Sequence, residues 1–554
     1  MMKNPILYLA FIALFCLSAG RSFSQSPEWI WAKGAGGVND EMGVSVATDA
    51  YGNAFVAGYF KSPSLTLGSF TLTRTGSCNV FLAKYDAMGN VIWATSAPGT
   101  DYDIPYAVAT DTSGNVVVAG LFSSPVITFG SISLTNAGIQ DAFVAKYDAA
   151  GNVMWAKRAG GADWDNARAL ALDGSGNVYL AGSFRSPSIT FGSFTLTNTA
   201  AGNYDAFLVK YDAGGNVLWA NAAAGPGNNL PMSLSTDPAG NVFIAGSFTG
   251  SFMTFGSLTV STHGLDDLFI AEYDASGNVL WAKSAGGTLE DNCYSVATDG
   301  EGNAYITGMF RSETISFGTF NLMNFAGWYP TADIYLAKYD GSGNVLWAKG
   351  AGGIQNDQAN SVATDAEGNV CFTGFFYSDT AHFGSTTLVN TNDHSDIFLA
   401  KYDPEGSNLW ALRAGGTGDD NGYSVARDTT GSIFMTGIFT SPVIAFGYDT
   451  LINAGAGDLF LARLDDNITG IGESSISGGL LFFPNPATDR ITIASLPWTV
   501  DGTIMFSNLE GQPFLQQHIT DTASPLDISL LPPGLYFARL VSKQGVLVGK
   551  FMKK

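Results

Sequence analysis

A chain of 554 residues is too long for one ordinary compact domain unless it is built from repeats or is a large all-β fold. An apolar content of 46% against 13% charged residues excludes a disordered chain, and 67 glycines with 13% aromatics point to many short strands joined by tight turns. A net charge of −22 argues against nucleic-acid binding, which needs clustered Lys and Arg, and leaves cationic partners favoured.

Residues 1–24 read as a secretory signal peptide: Lys3 is the positive start, Ile6–Leu17 is the apolar run, and Ser22-Phe23-Ser24 precedes Gln25 as a small-x-small cleavage site. The run is too short to span a bilayer well, and bulky Phe15 before Cys16 does not fit a lipid-attachment site. No later segment reads as a transmembrane span, so export to the surface or medium through the periplasm is expected. Cys78, Cys293 and Cys371 are odd in number and widely spaced, which excludes a disulfide framework.

From residue 25 to 466 one unit returns. Trp-Ala steps occur at Trp31, Trp93, Trp155, Trp219, Trp281, Trp347 and Trp410, at intervals of 62 to 66 residues. Each unit holds four β-type runs, as in Tyr294–Asp299, Asn303–Phe310, Asp333–Asp340 and Asn344–Lys349. A smaller pair reversing at Gly-Ser, as in Ile189–Thr197, sits between the second and third. A period above fifty with four strands per unit predicts a β-propeller. The last unit lacks its Trp strand, and a spare copy, Trp29–Lys33, precedes the first unit. Seven blades closed by that N-terminal strand in the last blade are therefore expected. Two turns per unit read Asp-x-x-Gly-Asn, as at Asp49–Asn53 and Asp86–Asn90. One carboxylate per loop favours turn chemistry over calcium, which is weakly supported.

Two acidic columns run through the repeat. Glu41, Asp103, Asp165, Asn229, Asp291, Asp357 and Asp420 stand just before the first strand, where a propeller's channel mouth would lie. They read either as a carboxylate ring for a cation or basic group, or as one loop cap per blade. The third strand opens at Asn79, Asp141, Asp205, Asp267, Asp333, Asp396 and Asp458, read as turn-holding residues. Repeat-breaking residues are the better candidates for specificity: Trp164 and Arg168 before the third blade, and Trp328 and Tyr329 in the insert 325–330. The last two read as a stacking platform for a sugar or apolar patch, or as loop packing.

The pattern SVATDxxGNxYxxG followed by DxFLAKYDxxGNxLWAKxAGG resembles the SBBP repeat, a seven-bladed β-propeller repeat distantly similar to WD repeats. The resemblance implies a fold and an extracytoplasmic setting, and no defined activity. After a Gly/Ser-rich linker, residues 467–480, short strands resume in 481–554 and predict a small C-terminal β-sandwich domain. Pro484-Asn485-Pro486, Asn508-Leu509-Glu510-Gly511, Leu531–Tyr536 with Gly534, and the basic ending around Lys550 resemble the C-terminal sorting domain of the type IX secretion system of Bacteroidetes. That resemblance implies the secretion machinery as a partner, and removal of the domain with anchoring or release.

No zinc spacing, nucleophile elbow or phosphate loop is present, and only four histidines occur. No cofactor is evident. The expected function is a non-catalytic surface or secreted scaffold binding a protein or glycan. The alternative is a polysaccharide hydrolase or lyase using the top-face carboxylates.

Overall fold

In a computed structural model the described residues are 27–326, 331–466, 480, 482–493, 502–508, 513–521, 524–542 and 545–554. The signal-peptide reading, Trp328, Tyr329, most of the 467–480 linker and Gly511 lie outside them. The described secondary structure is all β, in two units, Pro27–Asn467 and the C-terminal region from Ile468.

The larger unit consists of seven four-strand antiparallel arrays. One of them is Asp291–Thr298, Ala304–Phe310, Asp333–Tyr339 and Val345–Ala351, paired in that order. In the third array the fourth strand also accepts a following small hairpin, through Ala223↔Phe255 and Ala224↔Thr254. Second and third strands are buried on both faces, which explains their continuous apolar runs. The first strands are edge strands, and each touches the first strand of the next array, with Asp420–Arg427 returning to Glu41–Thr48. The Ser of the Ser-Val-Ala-Thr motif makes this contact. Val108 N–H donates to Ser45 Oγ at 3.1 Å, and Val46 N–H donates to Ser424 Oγ at 3.1 Å across the junction of last and first arrays.

The N-terminal strand Glu28–Ala35 pairs antiparallel with Asp458–Asp465 and so fills the fourth place in the last array. Its register matches the others, Trp31↔Arg463 corresponding to Trp93↔Lys84, with the irregularity one step beyond the Trp in each. Each Trp then reaches the following array. Trp93 Nε1 donates to Ala149 O at 3.1 Å and Trp155 Nε1 to Ala213 O at 3.1 Å. Trp31 Nε1 makes the same bond to Ala87 O at 3.0 Å, from the last array to the first.

The turn that accepts this bond needs glycine for two reasons. Gly151 has φ +85, and a Cβ there would lie 2.9 Å from the Trp93 ring. The turn's Asp closes it from within: Asp86 Oδ1 accepts the Met88 and Asn90 N–H groups and Oδ2 accepts Asn90 Nδ2. Both oxygens are spent on the turn itself.

The C-terminal unit has a sheet of Pro513–Ile519, Gly502–Ser507, Gly534–Ser542 and Gly545–Lys553, and a smaller one of Phe482–Phe483, Arg490–Ile493 and Leu526–Asp527. Both contribute to one core holding Phe482, Ile491, Ile504, Phe506, Tyr536 and Phe551.

Trp31→Ala removes a side chain only 7% exposed and the junction bond to Ala87. The expected loss is about 3–5 kcal/mol in chemical denaturation, with a larger loss on deleting Glu28–Ala35, which bares the edge of Asp458–Asp465. Unchanged unfolding midpoints for both variants would contradict this closure.

Candidate functional site on the inner strands

The first acidic column does not line an opening. Glu41, Asp103, Asp165, Asn229, Asp291, Asp357 and Asp420 are each 0% exposed. Asp291 shows the arrangement: Oδ1 accepts the Arg311 and Ser312 N–H groups at 3.1 and 3.2 Å, and Oδ2 accepts Ser312 Oγ at 2.8 Å and Gly287 N–H at 2.6 Å. Asp165, Asp357 and Asp420 repeat this pattern with Ser186, Ser378 and Ser441. Each of these four carboxylates thus holds the Ala-Gly-Gly loop before its first strand to the end of the second strand. The ring open to a cation or a basic group is corrected accordingly: the side chains are buried against the loops, and four donors consume the acceptor capacity of each of Asp165, Asp291, Asp357 and Asp420. Burial nonetheless pushes Asp103, Asp291, Asp357 and Asp420 up to about 6, against the lowering effect of those donors.

The second column is equally buried and holds the loop before the third strand. Asp141 Oδ2 accepts the Ala137 N–H at 2.8 Å, and Asp458 Oδ2 accepts the Ala454 N–H at 2.7 Å. Among the described residues no group of three or more His, Cys, Asp or Glu could hold a metal.

A third column, three residues after the first acids, is where the repeat breaks. Val44, Tyr106, Arg168, Met232, Tyr294, Asn360 and Tyr423 sit at register shifts, one extra residue in each first strand. A bulged residue has no ladder partner, and its side chain is re-aimed. All are half-buried, and they belong to the edge strands that surround the common axis. Arg168 alone in the column carries a fixed charge. Its guanidinium lies over the Tyr106 ring, 4.0 Å from the centroid, and makes no hydrogen bond or ion pair among the described residues. Burial raises the Tyr204 pKa, and the neighbouring Arg185 and Arg168 cations draw it back down. Arg185 pairs with Asp163 at 3.6 Å, and its N–H donates to the Trp164 carbonyl at 2.9 Å. The Trp164 side chain is 41% exposed. The structure therefore sets the Arg168 guanidinium over Tyr106, with its charge felt at Tyr204. Of the column, sequence reasoning singled out Arg168 alone. The signal for its companions was their fixed offset from the first acids, hidden because five residue types share the column and only tyrosine recurs.

In the C-terminal unit the motif residues gather on the last strand. Met552 N–H donates to Asn485 Oδ1 at 2.9 Å, and Lys554 N–H donates to Ala487 O at 2.8 Å, beside Pro484 and Pro486. Gly534 and Tyr536 begin the strand that pairs with Gly545–Lys553, and Tyr536 Oη donates to Pro532 O at 2.9 Å. Lys550 is exposed.

Comparison with known proteins gives two family matches: residues 280–309 with the β-propeller repeat SBBP, and residues 481–554 with the secretion system C-terminal sorting domain. The WD repeat-containing protein L264 of Acanthamoeba polyphaga mimivirus is 24% identical over 82% of this chain. Regulatory protein FlaEY of Caulobacter vibrioides is 33% identical over 26% of it. The chain spans 39% and 15% of the lengths of these curated relatives. Among solved structures, the Pan2 WD40 domain of Neurospora crassa matches with a TM-score of 0.37 at 10% identity, covering 76% of this chain and 88% of that one. Sqt1 from Chaetomium thermophilum gives 0.36 at 9%, covering 78% and 87%.

Asp291→Ala leaves the Gly287 and Ser312 donors unpaired in a buried loop, and a loss of about 1–3 kcal/mol is expected in urea unfolding. Calcium should shift the midpoint of neither form; stabilisation of the wild type alone would restore the cation reading. The chain carries a β-propeller repeat of the SBBP family and ends in a secretion system C-terminal sorting domain.

Proposed function

We propose that this chain is a secreted or cell-surface receptor built on a seven-bladed β-propeller, which binds an anionic partner at the inner-strand bulges. Residues 1–24 serve as signal peptide, 25–466 as propeller, 467–480 as linker and 481–554 as a small β-sandwich that addresses the chain to the type IX machinery. The cyclic contact of first strands and the last-to-first Trp31 bond support the ring. The matched sorting domain supports the route.

The observation that carries the binding reading is Arg168. A guanidinium held over Tyr106 and without a carboxylate partner among the described residues is preorganised for an incoming anion, a local exception to the cationic partners that the net charge of −22 favours. Nearby aromatic faces suit a sugar ring, so an oligosaccharide bearing carboxylate or sulfate groups is the favoured ligand class. Against the polysaccharide-cleaving alternative, the first-column carboxylates are fully buried, and four of them, Asp165, Asp291, Asp357 and Asp420, spend their oxygens on loop donors.

The mature chain should retain uronate-containing or sulfated glycans on an array, with Arg168→Ala weakening retention about tenfold or more, the scale of one lost charge-assisted contact. Equal binding by the variant, or bond cleavage by the wild type, would refute this reading. Removing residues 481–554 should leave the propeller in the periplasm of a type IX-competent host; surface display of the truncated chain would refute the addressing role.

A further inference from the structure

The two acidic columns meet at every junction between arrays. The residue before each third strand pairs with the residue before the next array's first strand, as in the parallel bridges Asp40↔Gly457, Gln140↔Trp164 and Asp266↔Glu290. The first-strand acid donates its own N–H across the junction, Glu41 to Gly457 O at 2.8 Å and Asp357 to Ala332 O at 2.7 Å. This sets Asp458 beside Glu41, and Asp333 beside Asp357. The same step pairs Asp141 with Asp165, Asp267 with Asp291, and Asp396 with Asp420. At the two remaining junctions one member is an amide: Asn79 with Asp103, and Asp205 with Asn229.

The amide junction shows what the acid junctions lack. Asn229 Nδ2 donates to Asp205 Oδ1 at 3.2 Å. In all five acid–acid pairs the corresponding Oδ1, of Asp141, Asp267, Asp333, Asp396 or Asp458, is buried without a hydrogen-bond partner among the described residues, and so is Glu41 Oε2. Two pairs have a fixed cation to offset the second charge, and in a third a histidine ring nitrogen faces the carboxylate. Arg158 and Arg413 bond to Asp141 and Asp396 from the fourth strand, and His263 bonds to Asp267. The fourth-strand position that holds Arg158 and Arg413 is Gly350 beside Asp333 and Gly34 beside Asp458. The charged groups on neighbouring elements are committed elsewhere. Lys338 pairs with Asp299, Arg427 with Asp365, Lys61 with Asp40, and His382 Nδ1 bonds to Thr387.

We propose that the Asp333–Asp357 and Asp458–Glu41 junctions are proton-binding sites, each holding one proton between its two carboxyls so that the protonated member donates the bond an asparagine donates at the junction of Asp205 and Asn229. Two buried carboxylates side by side without a cation cannot both stay ionised, and one proton supplies the donor for the orphaned oxygen. Asp333 carries it in its pair. Asp357 accepts from Gly353, Tyr377 and twice from Ser378, which favours its ionised form, whereas among the described residues Asp333 accepts only from Phe325 N–H. Burial and the facing Asp357 push Asp333 up to about 8, and burial with the facing Asp458 also raises Glu41. An acid whose folded pKa lies above its unfolded value lends stability that is complete below the unfolded pKa and is lost as pH rises through the folded one.

Equilibrium urea unfolding of the mature chain from pH 5 to 9 tests this. Wild-type stability should fall between pH 6.5 and 8, and Asp333→Asn, which keeps a donor and removes the titration, should reduce the proton slope in that window by up to about one proton. Asp458→Asn should reduce the total fall toward alkaline pH in the same sense. Gly350→Arg should flatten the Asp333 share by the opposite chemistry, supplying the cation found at Arg158; a Cβ at 350 meets nothing within 4 Å. Infrared spectra at pH 7 should show a protonated carboxylic acid band in the wild type that weakens in Asp333→Asn. An unchanged slope in both Asp333→Asn and Gly350→Arg would overturn the proposal. So would absence of the infrared band, or wild-type stability that follows added sodium or calcium instead of pH.

Discussion

One indole per array, laid against the next array's turn, is the contact on which the larger unit depends. It joins neighbours by a hydrogen bond from Nε1 and by the seat that a turn glycine leaves for the ring, as between Trp93 and Gly151. A four-stranded sheet cannot bury both faces alone, so its stability is mostly the stability of its junctions. A linear stack would leave two ends bare. The N-terminal strand answers that by joining first and last arrays, from Trp31 to Ala87, with the indole-to-carbonyl bond that five other junctions use; at the sixth, Trp410 Nε1 donates to Asp466 Oδ1 instead. Closure therefore needs no special chemistry, only a displaced copy of an ordinary strand.

Repetition at that junction explains why so many polar residues are buried. Ser45, Asp103 and Asp141 look like surface residues by type, yet Asp103 and Asp141 are fully buried and Ser45 bonds across to Val108. Each satisfies loop or edge-strand backbone that packing has removed from water. Where two such solutions abut, the result is a pair of carboxylates that neither column required for itself. Arg158 and Arg413 offset two of them, His263 Nδ1 faces Asp267 in a third, and amides stand in place of one acid at Asn79 and Asn229. The junctions differ in which group, arginine, histidine or amide, faces the second acid, and two have none of these.

The strands, the turns and the displaced N-terminal strand were legible because a sequence period reports backbone spacing directly, and Trp31 shares its register with Trp93. Site geometry was less legible, for reasons that differ by residue. The acid column of Asp291 could be found but not oriented: a carboxylate before an edge strand can face an axis or fold back onto Ser312, and only packing decides. The pairing of Asp333 with Asp357 joins residues of successive units, so it escapes a reading made within one unit. Tyr106 and Tyr294 were missed for the opposite reason, since a bulge is a backbone event that many side chains tolerate and no motif marks it.

That contrast bears on where specificity can arise in such a ring. A residue that every array needs for its own junction cannot vary without loosening the ring, so Trp93, Asp291 and Gly151 are unavailable for tuning toward a ligand. The bulge residues have no ladder partner to preserve and belong to the edge strands around the axis. Val44, Arg168, Met232 and Asn360 stand in one equivalent position with four chemistries, a diversity that the junction columns do not show. In the reading proposed above, a single asymmetric ligand at the centre of a cyclic fold is read by a position of this kind, where Arg168, stacked on Tyr106 and without a side-chain hydrogen bond among the described residues, would supply the fixed charge.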